Sequence, residues 1–242
     1  MPDNAAAAHF LSRTSPVLAR GIPDSRSRDA SGTLIATLAD ARARLTDAGI
    51  PFTEVPTDAA PGSGSGLPST VVRLPRSGGF KVERAGAMSA QTVRNRLTLH
   101  ILFVCTGNTC RSPMAERIAR HLAERSTPGS IPVEAASAGV SAMPGDPTTN
   151  EALEAVRRRG IEARTTGARP LDADAIRWAD QVYAMTASHL REAQRLGARS
   201  AQLLDPSGAD VPDPIGGTQR QYDDTARRLA DLIAARLQEF AT

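Results

Sequence analysis

A continuous apolar run followed at once by a short polar loop is the feature that most constrains this 242-residue chain. The run is Leu99–Cys105, and the loop of residues 106–110 leads into a segment with Pro113 near its start. A short apolar run bounded by turn residues is typical of a buried parallel strand. Proline is well tolerated in the first turn of a helix, because the first backbone N–H groups there have no intrahelical acceptor. The sequence therefore predicts a strand, a tight loop and a helix in direct succession.

The chain after residue 97 continues this alternation. Further strands are predicted at residues 132–136, 181–185 and 201–204, and helices at residues 113–125, 149–159, 174–180, 187–196 and 217–240. Strands that alternate with helices favour an α/β fold, in which helices cover both faces of a parallel sheet. We therefore predict a four-stranded parallel sheet within residues 97–242. Ligands of such sheets bind at the carboxyl ends of the strands, where Cys105 is placed.

Residues 1–96 have a different character. Proline, glycine and serine cluster in residues 56–69, and one amphipathic helix pattern runs from Leu34 to Leu45. Residues 70–74 and 80–83 are predicted strands of a hairpin, and residues 89–96 a short connecting helix. We expect a smaller α+β segment in residues 1–96, followed by the α/β domain in residues 97–242.

The polar loop carries groups of the kind that bind and attack a phosphate group. Its backbone N–H groups can point into one concavity, and the following helix adds the positive end of its dipole. Arg111 can hold two phosphate oxygens with its planar guanidinium group. Cys105 lies where these positive groups converge, so we expect a lowered thiol pKa and a nucleophilic thiolate. The alternative is that Cys105 is a buried core cysteine and Arg111 a solvated residue at a helix start.

The remaining loop residues are candidates for binding the substrate's phosphate group. Gly107 is predicted to supply a backbone conformation closed to other residues. Asn108 is predicted to brace the loop through side-chain hydrogen bonds, and Ser112 to donate a hydrogen bond to the thiolate. The full set of candidates is Thr106, Gly107, Asn108, Thr109, Cys110 and Ser112.

Reaction through a cysteinyl phosphate also needs a proton donor for the leaving group and a base for water. One carboxylate can fill both roles in turn. Asp213 is the candidate, and Asp146 and Asp205 are alternatives because each also precedes a proline. An Asp-Pro pair by itself usually marks a turn. Prolines on both sides of Asp213 stiffen its loop, however, and Gly216-Gly217 leave room for a substrate.

These motifs resemble the low-molecular-weight protein-tyrosine-phosphatase family. The similarity covers about residues 99–240 and includes residues 105–116, the turn at 137–139, the segment 185–189 and Asp213-Pro214. The resemblance implies a phosphoprotein phosphatase that uses Cys105 as nucleophile, Arg111 to bind phosphate and Asp213 as general acid. It also implies that the enzyme uses no metal and no other cofactor.

Two departures from the family pattern concern the substrate. Many tyrosine-specific members carry Ile or Leu where this chain has Thr109, and aromatic residues where Ile215-Gly216-Gly217 follow Asp213-Pro214. The loop is similar to that of bacterial protein arginine phosphatases, although these tend to carry Phe in place of Ile215. We predict phosphoarginine as the substrate, with phosphotyrosine as the alternative if Thr109 is a neutral substitution.

Two further residues have a role suggested by the resemblance or by their position. In the family, a cysteine that matches Cys110 can form a reversible disulfide with the nucleophile, which makes Cys110 a redox candidate. The alternative for Cys110 is a small buried residue at a helix start. His189 is predicted to be a structural residue near the start of a helix rather than a catalyst.

Residues 68–89 resemble the end of a threonylcarbamoyl-AMP synthase (YrdC-like) domain. The resemblance implies that residues 1–96 hold a partial YrdC-like segment, without room for the nucleotide-binding part of such a domain. Residues 1–98 carry 12 basic and 8 acidic residues, a net charge of +4, whereas residues 99–242 carry −1. An alternative function of another class is therefore a tRNA-linked or non-catalytic role of the N-terminal segment.

Composition argues against several other classes of protein. Aromatic residues make up 3% of the chain, so few side chains can stack on bases, and no nucleic-acid partner is expected. No apolar run approaches the roughly 18 residues of a membrane span, and the N-terminal residues do not look like a secretory signal. Two cysteines cannot form a disulfide framework. We expect a cytoplasmic protein whose partner is a phosphorylated protein; the sequence does not indicate the oligomeric state.

Overall fold

The structure, a computed structural model, describes residues 70–73, 80–86, 88–125 and 131–240. The helix predicted from Leu34 to Leu45 and the segment 56–69, rich in proline, glycine and serine, lie outside the described residues. None of the helices in these described ranges is long and apolar enough to cross a membrane.

A small α+β unit comes first in the chain. Strands β1 (Val71–Arg73) and β2 (Lys81–Arg84) pair in antiparallel fashion, and helix α1 (Ala90–Leu97) follows them. The side chain of Ser89 caps this helix by accepting a hydrogen bond from a backbone N–H of its first turn. A small apolar cluster consists of Phe80, Val93 and Leu97, with Val72, Val82 and Met88 packed against it. The two predicted strands and the predicted connecting helix are therefore present.

The rest of the chain forms the predicted four-stranded parallel sheet. Its strands are β3 (Leu99–Cys105), β4 (Val133–Gly139), β5 (Gln181–Ala184) and β6 (Ala201–Leu203). They lie in the order β4-β3-β5-β6, and all three pairings are parallel. The helices are α2 (Arg111–Glu124), α3 (Asn150–Arg157), α4 (Ala173–Trp178), α5 (Ala187–Arg195) and α6 (Gln219–Gln238). The predicted fold class is confirmed.

Strand β3 is central to the sheet and buried on both faces. Ile101 and Phe103 belong to the larger apolar cluster, which they share with residues of α2, α3 and α6. Leu102 and Val104 belong to a second cluster with residues of α4 and α5. A strand covered on both faces needs apolar side chains at consecutive positions, which explains the continuous apolar run.

Several boundaries differ from the predictions. Helix α2 begins at Arg111, two residues before the predicted start, with Cys110 as its N-cap. Strand β4 continues to Gly139 instead of ending at residue 136, because it follows β3 along its full length. Helix α6 begins after Thr218, which forms a capping box with Gln221. The Thr-x-x-Gln spacing marks the start of α6 in the sequence, whereas the spacing of apolar residues alone does not locate it.

Candidate active site

The candidate site lies at the carboxyl ends of the central strands. Cys105 is the last residue of β3 and Arg111 the first residue of α2, so residues 106–110 form a tight connection between them. The segment after β4 holds this loop from the side, because the backbone N–H of Val140 donates to the carbonyl of Cys105 at 3.0 Å. The next N–H, that of Ser141, donates to the carbonyl of Thr106 at 2.9 Å.

Gly139, at the end of β4, lies directly against the loop. A Cβ atom at this position would overlap the carbonyl oxygen of Thr106 and come within 2.8 Å of the backbone nitrogen of Asn108. Both contacts are with backbone atoms, which cannot move aside without distorting the loop. Only glycine therefore lets β4 approach the loop this closely. Gly139 belongs to the turn at 137–139 that carries part of the family resemblance, but its role was not predicted from the sequence.

The predicted bracing by Asn108 is present. Its Nδ2 donates to the hydroxyl oxygen of Ser112 at 2.9 Å, and its Oδ1 accepts from the backbone N–H of Arg169 at 2.8 Å. Ser112 Oγ lies 2.9 Å from Cys105 Sγ and 3.3 Å from the carbonyl of Ala138. Because Asn108 donates to Ser112, the hydroxyl hydrogen of Ser112 is left with two acceptors within reach, Cys105 Sγ and the carbonyl of Ala138. The structure thus places a donor beside Cys105 Sγ.

The conformational role predicted for Gly107 is wrong. The residue with a left-handed backbone is Asn108, with φ of 56°, and Gly107 does not have a positive φ. Asparagine adopts this conformation more readily than most residues, and here both ends of its amide are held by hydrogen bonds. Gly107 instead leaves space, since a Cβ there would make only an ordinary contact, at 3.5 Å from Thr109 Oγ1.

Arg111 is buried below the loop, and its guanidinium group is held in place on several sides. Nη1 donates to the carbonyl of Val211 at 3.0 Å, and Nη2 donates to Thr106 Oγ1 at 3.3 Å and to Asp213 Oδ2. Within the described part of the chain, the buried Nε–H has no hydrogen-bond acceptor. An oxyanion placed beside Cys105 would offer acceptors to a charged group that is already oriented.

Asp213 is the carboxylate that the fold brings to this site. It pairs with Arg111, and its side chain is 35% exposed. Asp205 accepts hydrogen bonds from Ser207 and Arg228, and these bonds lower its pKa to about 2. The backbone of Asp146 pairs with the loop around Ala168. Of the three candidates from the sequence, only Asp213 shares a contact with Arg111.

The expected lowering of the Cys105 pKa is not what the structure shows. Burial raises the pKa of this thiol above its ordinary value. Hydrogen bonds from Ser112 and the charge of Arg111 act in the opposite direction without outweighing burial. The physical reason is that the chain covers the sulfur almost completely, while the Arg111 charge is shared with Asp213.

Cys110 and Thr109 lie at the far end of the loop. Cys110 is buried, and its Sγ lies 3.6 Å from Thr149 Oγ1 and 3.5 Å from the hydroxyl of Tyr222. Burial, together with the contact to Cys110, raises the pKa of the Tyr222 hydroxyl to about 12. Thr109 is half-buried, and its carbonyl accepts from the backbone N–H of Thr149 at 3.0 Å. Both cysteines are free thiols.

His189 makes a contact that the sequence analysis did not anticipate. It lies in the first turn of α5 and is buried, with its Nδ1 2.9 Å from Thr186 Oγ1. Its Nε2 lies 2.9 Å from Thr106 Oγ1 in the loop. The Thr-x-x-His spacing was visible in the sequence, but nothing there indicated that the helix start faces residue 106. Across the described residues, no group of three or more His, Cys, Asp or Glu is arranged to hold a metal ion.

The fold and the site define an α/β protein in which Cys105, Arg111 and Asp213 lie together, an arrangement suited to cysteine-dependent phosphate chemistry. The chain belongs to the family described as low molecular weight phosphotyrosine protein phosphatase, which matches residues 100–242. It is therefore a cysteine-dependent hydrolase of the protein phosphatase class.

Individual relatives agree with this assignment. A protein-arginine-phosphatase of Geobacillus stearothermophilus is 37% identical over 148 residues, which cover 57% of this chain and 95% of the relative. A low molecular weight protein-tyrosine-phosphatase of Streptomyces coelicolor is 37% identical over 144 residues, covering 53% of this chain and 85% of the relative. A solved structure of the YwlE arginine phosphatase, with a phosphorylated serine replacing the active-site cysteine, matches with a TM-score of 0.54. It is 35% identical and covers 58% of this chain and 95% of that one.

Nothing in these matches supports the resemblance of the N-terminal segment to threonylcarbamoyl-AMP synthases. The family match begins at residue 100, after the segment in question. The partial YrdC-like segment in residues 1–96 and the tRNA-linked role therefore stay predictions.

Proposed function

We propose that this protein is a protein arginine phosphatase that acts through a phosphocysteine on Cys105. The observation that carries the proposal is the polar Thr109 in the loop that follows the nucleophile, where many tyrosine-specific members of the family carry Ile or Leu. A guanidinium group carries N–H donors from which a hydroxyl oxygen such as that of Thr109 can accept, whereas a phenyl ring has no such donor. The relatives named as arginine phosphatases support the same substrate.

In the first step Cys105 gives its thiol proton to an oxygen of the bound phosphate group, and the resulting thiolate attacks the phosphorus atom in line with the leaving group. A new S–P bond forms as the P–N bond to the substrate arginine breaks. Arg111 and the loop N–H groups hold the equatorial oxygens, where negative charge is present in the transition state. Asp213, protonated and released from Arg111 by the incoming phosphate group, gives its proton to the leaving nitrogen.

In the second step the same carboxylate acts as a base. Asp213 takes a proton from a water molecule, whose oxygen attacks phosphorus and displaces the Cys105 sulfur. Inorganic phosphate leaves, and the thiolate is restored with a hydrogen bond from Ser112. The exposure of the Asp213 side chain, at 35%, is suited to this role, because water must reach it after the product has left.

The test compares initial rates of phosphate release from peptides that carry phosphoarginine or phosphotyrosine, under reducing conditions. The variants are Cys105→Ser, Thr109→Ile and, as a matched control, Thr92→Ile. Thr92 is exposed on α1 and lies outside the family match. We expect the wild type to prefer phosphoarginine, Thr109→Ile to shift the preference toward phosphotyrosine, and Thr92→Ile to change neither rate.

The same rate measurements would also show whether phosphotyrosine is the preferred substrate. The Streptomyces coelicolor relative named as a tyrosine phosphatase is also 37% identical, and Ile215 departs from the arginine-phosphatase pattern. A wild-type preference for phosphotyrosine would overturn the assignment of Thr109 while leaving the phosphocysteine mechanism in place. Turnover of neither substrate above the Cys105→Ser background would contradict the mechanism itself.

The partner we propose is a phosphorylated protein, met in the cytoplasm. The family acts on proteins. The candidate site lies at the carboxyl ends of the strands, where the exposed side chains of Asp213 and Ile215 can contact a protein substrate. The cytoplasmic location follows from the sequence alone and is proposed on that ground.

A further inference from the structure

We propose that His189 is a positioning residue that fixes the hydroxyl of Thr106 so that Thr106 holds Arg111 in its phosphate-binding orientation. The inference rests on the phosphate-binding role proposed for Arg111, and it assigns a function to a histidine that does not itself reach the reacting atoms. It concerns Thr106 and Arg111, which bracket the loop, and His189, which lies 83 positions after Thr106 and meets them there.

Arg111, Thr106, His189 and Thr186 are joined by consecutive hydrogen bonds, and the donors and acceptors of these side chains give a consistent direction for each bond. Arg111 Nη2 lies 3.3 Å from Thr106 Oγ1 and can only donate, so the Thr106 oxygen accepts. The single hydroxyl hydrogen of Thr106 is then available to His189 Nε2 at 2.9 Å. We assign His189 Nε2 as the acceptor of this hydrogen, which places the ring hydrogen on Nδ1, and Nδ1–H then donates to Thr186 Oγ1 at 2.9 Å.

The surroundings keep His189 in this neutral form. Burial and the positive charge of Arg111 lower its pKa to about 4, and the carboxylates of Asp213 and Asp210 oppose this only in part. A protonated His189 would donate from Nε2, so that Thr106 would have to accept from two cations at once. The neutral ring is thus the form that orients the Thr106 hydroxyl toward the histidine and its lone pair toward Arg111.

A purely structural role explains only half of the histidine's contacts. Thr186 already caps α5 by accepting from the backbone N–H of His189, and the Nδ1 contact belongs to the same helix start. The Nε2 contact instead spans 83 positions of sequence to the loop. It matters most when a phosphate group displaces Asp213 from Arg111, because Thr106 and the carbonyl of Val211 are then the protein acceptors left to hold the guanidinium group.

The experiment measures the inhibition constant of inorganic phosphate, together with kcat and KM for p-nitrophenyl phosphate, in a set of full-length variants. His189→Phe keeps the ring volume without an acceptor, whereas His189→Gln can place an amide oxygen near Thr106. Thr106→Val removes the hydroxyl at nearly constant shape. His121→Phe is the matched control, since His121 lies on α2 and contacts Arg125 rather than the loop. Thermal unfolding of each variant is recorded in parallel.

We expect His189→Phe and Thr106→Val each to weaken phosphate binding about tenfold, the size of one hydrogen bond to a charged group. His189→Gln should recover most of the loss, and His121→Phe should bind phosphate as the wild type does. Since the two residues act through one contact, the double variant should bind phosphate no more weakly than Thr106→Val alone.

Three results would overturn the inference. One is an unchanged phosphate inhibition constant in either Thr106→Val or a folded His189→Phe. Another is strict additivity of the two substitutions, and the third is equal loss in His189→Gln and His189→Phe. If His189→Phe does not fold, unchanged phosphate binding in Thr106→Val, or a loss in His189→Gln as large as that in Thr106→Val, would still overturn the inference. Phosphate affinity does not depend on the choice between phosphoarginine and phosphotyrosine, so failure of the proposed substrate would be seen separately.

Discussion

At the scale of single residues, the hydroxyl of Ser112 is the group that acts most directly on the nucleophile. Asn108 donates to this hydroxyl, whose own hydrogen can then go to Cys105 Sγ at 2.9 Å or to the carbonyl of Ala138 at 3.3 Å. A donor at this distance stabilises the thiolate and has little to offer the neutral thiol. Ser112 thus opposes the effect of burial, which raises the Cys105 pKa.

The Ser112→Ala variant should therefore have a still higher Cys105 pKa, by about one pH unit, since one hydrogen bond to the charged form is lost. The measurement is the rate of alkylation by iodoacetamide as a function of pH, with the alkylated residue identified by peptide mapping. Ser141→Ala is the control, because Ser141 contacts the loop through its backbone N–H. An unchanged or lower pKa in Ser112→Ala would show that the serine does not act on the sulfur.

Cys110 provides a second prediction at this scale. Peroxide should oxidise the Cys105 thiolate to a sulfenic acid, and the Cys110 thiol should then displace water to form a disulfide that dithiothreitol reverses. Activity of the wild type should recover after reduction, whereas that of Cys110→Ser should not, because its sulfenic acid is oxidised further. Equal recovery in both proteins would leave Cys110 as a buried structural residue, held among the hydroxyls of Thr149 and Tyr222.

At the scale of secondary-structure elements, the close approach of β4 to the loop between β3 and α2 makes the site possible. Gly139 ends β4, and backbone atoms of the loop occupy the space that a side chain would need. The same residue also accepts a hydrogen bond from the backbone N–H of Leu171, so β4 is fixed on its other side. The strand therefore cannot simply shift away.

Gly139→Ala should accordingly lower the melting temperature and abolish activity together, because either the loop or the strand must move. Gly107→Ala is the steric control for stability, since a Cβ at Gly107 would meet only Thr109 Oγ1 at an ordinary distance. We expect thermal unfolding of Gly107→Ala to stay near that of the wild type. An unaltered melting temperature in Gly139→Ala would contradict the packing described here.

Much at this scale was predictable from the sequence, and the exceptions have physical causes. The run Leu99–Cys105 indicated a strand buried on both faces, and Arg111 and Asp213 were found from spacing and chemistry. The left-handed residue was assigned to Gly107 because glycine is the usual choice, although side-chain hydrogen bonds place it at Asn108.

The contact between His189 and Thr106 could not be predicted, since it depends on how α5 meets the loop after folding. The same holds for the Cys105 pKa. Residue types indicated which charges surround the sulfur, but only the packed structure shows how completely it is buried.

At the scale of the whole molecule, the apolar residues of the α+β unit and those of the parallel sheet form separate clusters. One cluster consists of Phe80, Val93 and Leu97, with neighbours that include Val72 of β1 and Val82 of β2. The parallel sheet and its helices form two other apolar clusters. The family match likewise begins at residue 100. Residues 97–242 should therefore fold and act without the N-terminal segment.

A fragment of residues 97–242 should retain the kcat/KM of the full chain for phosphorylated peptides. Neither protein should form a salt-sensitive complex with tRNA, because the net charge of +4 in residues 1–98 is small and few aromatic residues are available for stacking. Steady-state kinetics and a filter-binding titration at two salt concentrations measure these properties. Tight tRNA binding by the full chain alone would support a tRNA-linked role of the N-terminal segment.

The central claim is that Cys105 carries the phosphoryl group between the two chemical steps, and trapping that intermediate tests it most directly. In Asp213→Asn the base for the second step is absent, while p-nitrophenyl phosphate supplies a leaving group that needs little protonation. Acid quenching during turnover, followed by intact-mass and peptide analysis, should show one phosphoryl group on the peptide that contains Cys105. The additional Cys105→Ser substitution should remove the thiol-bound phosphate. A phosphoryl group on a residue other than Cys105, or turnover of the wild type without any covalent intermediate, would contradict the account.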